Sequence, residues 1–140
     1  MRRKVLLDTG PLVAYLDRRD KMHNWSITLW KDIEAPLLTS EAVISETCFL
    51  LRGVDGGVRT VFELLRRQVI TVLFRLADDV RPIASLLNKY ADVPMSLADA
   101  SLVRMAEQFP ESTMFTMDSD FRRYRKHSRQ VIPLIIPESE

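Results

Sequence analysis

Val5-Leu6-Leu7-Asp8-Thr9-Gly10-Pro11-Leu12-Val13-Ala14 changes character at its fourth residue. Val5 to Leu7 is a short continuous apolar run, the pattern of a strand buried on both faces, whereas Asp8-Thr9-Gly10-Pro11 has the chemistry of a turn and a helix start. Pro11 suits a first helical turn, where a missing N–H leaves no bond unmade. Leu12, Val13, Tyr15 and Leu16 then supply a short apolar face. A strand leading directly into a helix is the building unit of an α/β fold, and it leaves Asp8 just past the strand's carboxyl end.

The same alternation continues along the chain. Met22, Trp25, Leu29 and Ile33 recur at helical spacing and predict a helix over 22–34, which Pro36 stops. Leu37 and Leu38 read as a brief strand, and Ser40 as the N-cap of a helix whose stripe is Val43, Ile44, Thr47, Cys48 and Leu51. Gly53, Gly56 and Gly57 end that helix in a loop. Val58, Val61, Phe62 and Leu65 predict an amphipathic helix, and the β-branched and aromatic run 69–74 another buried strand. Asp78 and Asp79 open a helix with Val80, Ile83, Ala84, Leu87 and Tyr90 as its apolar face. Ser96 caps the next, with Ala98, Leu102, Met105, Ala106 and Phe109 inward and Pro110 beyond its end. A strand over 114–117 runs up to Asp118, and a last one over 131–136 contains Pro133, which argues for a sheet edge. These alternating elements predict the α/β class, with a mainly parallel sheet of five strands between helices.

Composition sets the bounds. The chain has 140 residues, 46% of them hydrophobic and 28% charged, which suits one domain over 1–140 with a single compact core. Twenty Lys and Arg against nineteen Asp and Glu leave a net charge of +1, so no overall field marks a nucleic-acid or membrane binder and any basic site is local. Cys48 is the only cysteine, which excludes an intrachain disulfide and a thiolate zinc site and points to a reducing, cytoplasmic setting. The apolar run after Met1-Arg2-Arg3-Lys4 ends at Asp8, too early for a signal-peptide core or a membrane span.

In an open parallel sheet the ligand site lies beyond the carboxyl ends of the strands, and Asp8 and Asp118 both directly follow such ends. Glu46 and Asp99 sit at the margins of helical apolar stripes, with no Lys or Arg three or four residues away from either. A carboxylate in that position is costly to bury without a counter-charge. A divalent cation is the natural candidate, because Mg²⁺ and Mn²⁺ take carboxylate and water oxygens and need neither His nor Cys. Four converging carboxylates would hold one or two such ions, lower the pKa of a bound water and neutralise a phosphodiester under in-line attack. Local roles compete with this reading at every position. Asp99 completes a Ser96-x-x-Asp99 capping box, Asp8 can cap the helix at Pro11, Glu46 can be a surface helix residue, and Asp118 with Asp120 can cap a short helix through Phe121 and Tyr124. Thr9 and Thr116 flank two of the acids and could orient them or a water, although strand and cap preferences explain them as well. Arg122, Arg123, Arg125, Lys126 and Arg129, with Tyr124 interleaved, could grip an RNA backbone and stack on a base, or form a solvated face. His23 and His127 have no partner pattern.

Taken in order, Leu7-Asp8-Thr9-Gly10-Pro11-Leu12-Val13-Ala14, Thr39-Ser40 with Glu46, Leu97-Ala98-Asp99-Ala100 and Thr116-x-Asp118-x-Asp120-Phe121 resemble the PIN-domain family, in particular its VapC-type toxins of toxin–antitoxin pairs. The resemblance spans nearly the whole chain. It implies a PIN-like α/β/α sandwich and a Mg²⁺- or Mn²⁺-dependent endoribonuclease with Asp8, Glu46, Asp99 and Asp118 as its acidic quartet and Asp120 as an accessory acid. It also implies a homodimer silenced by a small antitoxin, and it includes Asp17, Asp20 and His23 of the first loop without assigning them a chemical role. Two alternatives stand beside it: a non-toxin or catalytically silent PIN scaffold that binds RNA or protein, and an aspartic peptidase suggested by Asp8-Thr9-Gly10. The peptidase fold is nearly all β, against the helices predicted here.

Overall fold

A computed structural model describes residues 3–138; Met1, Arg2, Ser139 and Glu140 lie outside it. Strand β1 (Lys4–Leu7) leads into helix α1 (Thr9–Leu16) and then α2 (His23–Trp30). Next come β2 (Leu37–Thr39), α3 (Glu41–Leu50), α4 (Gly57–Arg66), β3 (Ile70–Val72), α5 (Val80–Lys89) and α6 (Leu97–Gln108). The chain ends with β4 (Ser112–Phe115), the short strands β5 (Arg125–Lys126) and β6 (Gln130–Val131), and β7 (Leu134–Ile135). The main sheet has five strands in the order β3-β2-β1-β4-β7, every pair of them parallel. From β1 the chain builds outward to β2 and β3 on one side, and later to β4 and β7 on the other. The crevice between the carboxyl ends of β1 and β4 is therefore the topological switch point.

Alternation along each strand divides the core in two. Leu6, Leu38 and Met114 face Ile83, Leu86, Leu102 and Met105 of α5 and α6. Leu7, Leu37 and Phe115 face Leu12, Trp30 and Leu64 of α1, α2 and α4. Each fully buried Leu contributes about 1.5–3 kcal/mol relative to exposure, so a one-residue slip, which would exchange the two faces, is strongly disfavoured. The α/β/α sandwich with a parallel sheet of five strands is thus as expected.

Several boundaries differ from expectation for identifiable reasons. Helix α2 ends at Trp30, short of residue 34, because its last turn tightens: Asp32 N donates to Leu29 O and Ile33 N to Trp30 O, three residues back. The run 69–74 gives only Ile70–Val72, and at a sheet edge, because its single neighbour β2 ends where Ser40 caps α3. Leu73 is 49% exposed, while Phe74 leaves the sheet for the α5–α6 core. In α4 the buried residues are Gly57, Val61 and Leu64, with Phe62 outside; in α5 they are Ile83 and Leu86, with Tyr90 just beyond, while Val80 and Ala84 are exposed. Both stripes are rotated relative to the sequence pattern. The start of α5 is set by Asp79, whose carboxylate accepts from Arg104 Nε at 3.2 Å and Gln108 Nε2 at 2.9 Å. Strand β4 spans 112–115, earlier than 114–117, because Leu7 ends β1 in register with Phe115. Pro133 splits the last predicted strand into β6 and the edge strand β7, as its missing N–H requires.

Ser40 is a local prediction made good twice over. Its hydroxyl accepts from Val43 N at 3.3 Å, and it lies 2.7 Å from the Ser101 hydroxyl in the interior, so one residue caps α3 and ties it to α6. Ser40→Ala is expected to cost about 1–2 kcal/mol in urea unfolding, since a cap is lost together with the link to α6, although Ser101 keeps its bond to Ala98 O at 2.7 Å. An unchanged midpoint would show that neither contact contributes.

Candidate acidic active site

Asp8, Glu46, Asp99 and Asp118, which come from four separate segments, line one cleft of about 290 Å³. Thr9, Gly10, Leu50 and Met117 complete the wall, and among the described residues no Lys or Arg is part of it. Asp8 is 6% exposed and held on both oxygens. As N-cap of α1 it accepts from Thr9 N at 2.8 Å on Oδ1, and Thr116 donates its hydroxyl to Oδ2 at 2.6 Å. The Thr116 oxygen in turn accepts from Asp118 N at 3.0 Å, so one threonine spaces the two acids at the switch point. Asp118 Oδ1 caps the short 3-10 helix Ser119–Arg122 by accepting from Asp120 N at 2.9 Å. Gly10 permits the close approach of the two loops: a Cβ there would meet Met117 Cβ at 3.3 Å.

Asp99 keeps its capping box, accepting from Ser96 N at 3.5 Å while its own N–H donates to Ser96 Oγ at 3.0 Å. The stronger contact on its carboxylate comes from Tyr124, whose hydroxyl donates to Oδ2 at 3.0 Å. Capping and cleft-lining thus coexist in Asp8, Asp99 and Asp118. Glu46, on an exposed part of α3, has no hydrogen bond or ion pair among the described residues and joins the other three acids only as part of the cleft wall.

The electrostatics agree with this geometry. Burial pushes the Asp8 carboxyl from an ordinary 3.8 up to about 7; hydrogen bonds from Thr116 and Thr9 oppose the shift, and the charges of Asp99 and Asp118 add to it. Asp99 is raised as well, by burial first and also by Asp118, against the pull of Tyr124. The Tyr124 phenol is driven far above its usual range by burial and by the neighbouring carboxylates, so it stays a donor. The Thr9 hydroxyl is buried without a partner in the same wall. Among the described residues no group of three or more Asp, Glu, His or Cys side chains is already arranged to hold a metal ion. The fit to a hard divalent cation rests on the donor chemistry: all-oxygen ligands, mutually repelling, with no protein cation to offset them.

The sequence model of the PIN domain matches residues 5–127. The chain belongs to the PIN-domain family. It is 24% identical over 137 residues to Ribonuclease VapC26 of Mycobacterium tuberculosis, an alignment covering 93% of this chain and 93% of the relative. Its backbone is similar to the crystal structure of Mycobacterium tuberculosis VapC20, described as a sarcin-ricin loop cleaving toxin: the TM-score is 0.72 and the identity 22%, over 84% of this chain and 92% of that one.

The remaining predicted residues of this PIN domain fall outside the cleft wall. Asp120 is half-buried beside Asp118 and contributes its backbone N–H. Arg122 and Arg123 are exposed; Arg125 turns its guanidinium back onto the carbonyls of Arg122 and Tyr124, and Lys126 is buried. Tyr124 is 0% exposed, which overturns its reading as a base-stacking residue. Asp17, Asp20 and His23 fasten the first loop. Asp17 Oδ1 accepts from Arg19 N, Asp20 Oδ1 from Met22 N, and His23 Nδ1–H donates to Ala14 O at 2.6 Å. The peptidase alternative fails on the fold: Asp8-Thr9-Gly10 opens a helix on a parallel sheet, and the neighbours of Asp8 are the other acids of a PIN cleft.

Proposed function

We propose that this PIN domain is a metal-dependent endoribonuclease, the toxin of a VapBC-type pair, that hydrolyses phosphodiester bonds in single-stranded or loop RNA. The observation that carries this reading is the single cleft lined by Asp8, Glu46, Asp99 and Asp118, with no basic side chain among the described residues in its wall. The relatives support this reading: one is named a ribonuclease and another a sarcin-ricin loop cleaving toxin. Asp8, Glu46, Asp99 and Asp118 would hold one or two Mg²⁺ or Mn²⁺ ions. When bound, the metal supplies an activated water and charge neutralisation at the phosphate. Thr116 and the Thr9 N–H orient Asp8, while Leu50 and Met117 narrow the cleft against bulk water. Asp120, half-buried next to Asp118, would be the accessory acid, and separately its backbone N–H holds Asp118. The exposed Arg122 and Arg123 are the phosphate contacts; Arg125 and Lys126 support that segment from within.

The protein partners in this reading are a small antitoxin and a second copy of the chain. It is supported by an apolar groove of about 750 Å³ that shares Glu46 with the acidic cleft. Phe49, 61% exposed, and Leu97, 42% exposed, line it and give a partner apolar side chains to cover beside the acids. A cytoplasmic setting follows from the lone Cys48, and no helix among the described residues is long and apolar enough to cross a membrane.

The test is incubation of the purified, antitoxin-free protein with total and transfer RNA in Mg²⁺, in Mn²⁺ and in EDTA. Discrete fragments are expected with metal and none with EDTA. Cleavage that survives EDTA removes the metal from the reading, and a protein that binds RNA but cuts nothing in any metal is the silent scaffold instead.

A further inference from the structure

Tyr124 heads the fully buried side chains by volume, and its hydroxyl spends its one proton on Oδ2 of Asp99 at 3.0 Å. A buried phenol needs a partner, but a carboxylate in the wall of an acidic cleft is an unusual choice for a purely structural one. The ring has little freedom. Phe121 and Tyr90 both meet it edge-on, each with centroids 5.1 Å away, and Phe121 is itself buried. On the carboxylate the arrangement is one-sided. Tyr124 and the longer 3.5 Å contact from Ser96 N both fall on Oδ2, which leaves Oδ1 without a hydrogen bond among the described residues. The capping box, which a helix start needs for its own sake, would leave the carboxylate loosely set; the contact from 25 residues away adds a second, shorter bond that pins Oδ2 in place.

We propose that Tyr124 is a positioning residue that anchors Oδ2 of Asp99 so that Oδ1 is presented to the divalent cation. The inference rests on the metal-dependent reading above. Tyr124 acts as an outer-shell partner of a ligating carboxylate, a type of group whose removal costs metal affinity while the ligand itself remains. Its neighbour Tyr90 provides the internal control. Its hydroxyl belongs to the same aromatic cluster but accepts from Arg125 N at 3.0 Å and makes no contact with Asp99.

The experiment is Mn²⁺ titration, followed by the electron spin resonance of free Mn²⁺, of the wild-type protein, Tyr124→Phe and Tyr90→Phe, with RNA cleavage measured over the same Mn²⁺ range. Tyr124→Phe is expected to weaken Mn²⁺ binding about tenfold. Its cleavage should recover at saturating Mn²⁺, and Tyr90→Phe should bind as wild type does. A second measurement needs no change at Tyr124: the near-UV tyrosine band of the wild-type protein should shift with the Mn²⁺ midpoint and stay still in Asp99→Asn. Wild-type affinity in Tyr124→Phe, equal losses in both variants, or a tyrosine band indifferent to Mn²⁺ overturns the positioning role while the nuclease reading stands. A wild-type protein that binds no Mn²⁺ overturns both.

Discussion

Asp8→Asn protein is expected to cleave RNA at least about 100-fold more slowly than wild type at saturating Mn²⁺, because losing even an outer-shell partner of a metal ligand costs about 10–100-fold. Asp8 is the most constrained acid of the cleft, with a donor on each oxygen and only 6% exposure. Asparagine keeps its shape and can still cap α1 through its side-chain oxygen, while its amide group replaces the acceptor of the Thr116 hydroxyl, so the loss reports on charge and hydrogen bonding at the cleft and not on the fold. Asp99→Asn is expected to behave the same way, since Tyr124 and Ser96 continue to hold an amide oxygen. The check is the initial rate of fragment appearance from a fixed RNA pool, with circular dichroism to establish that each variant is folded. An Asp8→Asn protein that cuts at the wild-type rate removes the acidic cleft from the mechanism.

The same substitution should make the metal-free protein more stable. In the unfolded chain Asp8 titrates at its ordinary 3.8, and in the folded protein at about 7. Between those values the folded state holds a proton that the unfolded state has released, so ν of the native state exceeds ν of the unfolded state and stability falls with rising pH. The favourable contribution is complete below pH 4 and is lost as the pH rises through 7. Asp99 is raised in the same direction and steepens the fall. Metal-free wild type should therefore melt at progressively lower temperature from pH 5 to pH 8. Asp8→Asn should flatten most of that slope and exceed wild type by about 1–3 kcal/mol at pH 8. Mn²⁺ at a hundredfold excess over its dissociation constant should stabilise wild type by about 2.7 kcal/mol and so offset most or all of that difference. A variant with an undiminished pH slope and a lower midpoint at pH 8 would show that burial does not hold the Asp8 carboxyl protonated as described.

What could be read along the chain was chemistry that acts within a few residues. Asp8, Ser40, Ser96 and Asp118 were all identifiable as caps because a cap reaches an N–H no more than three residues ahead. The strand-to-helix switch at Asp8 and the break at Pro133 were likewise local, and with them came the α/β class and the four acids. Helix faces were less legible. The stripe of α5 is centred on Ile83 and Leu86 because Arg104 and Gln108 of another helix hold Asp79, and no periodicity within α5 contains that information. Strand 69–74 looked buried because β-branched residues suit a sheet centre and a sheet edge alike until the neighbours are known.

The site depended on contacts of still longer range. Thr116 reaches Asp8 across 108 positions and Tyr124 reaches Asp99 across 25, and in each case a single hydroxyl sets the orientation of a carboxylate. Tyr124 between arginines reads as a surface aromatic, because the composition around it is that of a solvated face; folding turns it inward against Tyr90 and Phe121. Charge and capping preference are properties of a residue and its near neighbours, and they survive in the linear order. Which carboxylates share a cleft, which oxygen is left without a bond and which hydroxyl is buried beside it arise when the parallel sheet brings β1 and β4 together, since burial and repulsion depend on distances that exist only in the packed chain.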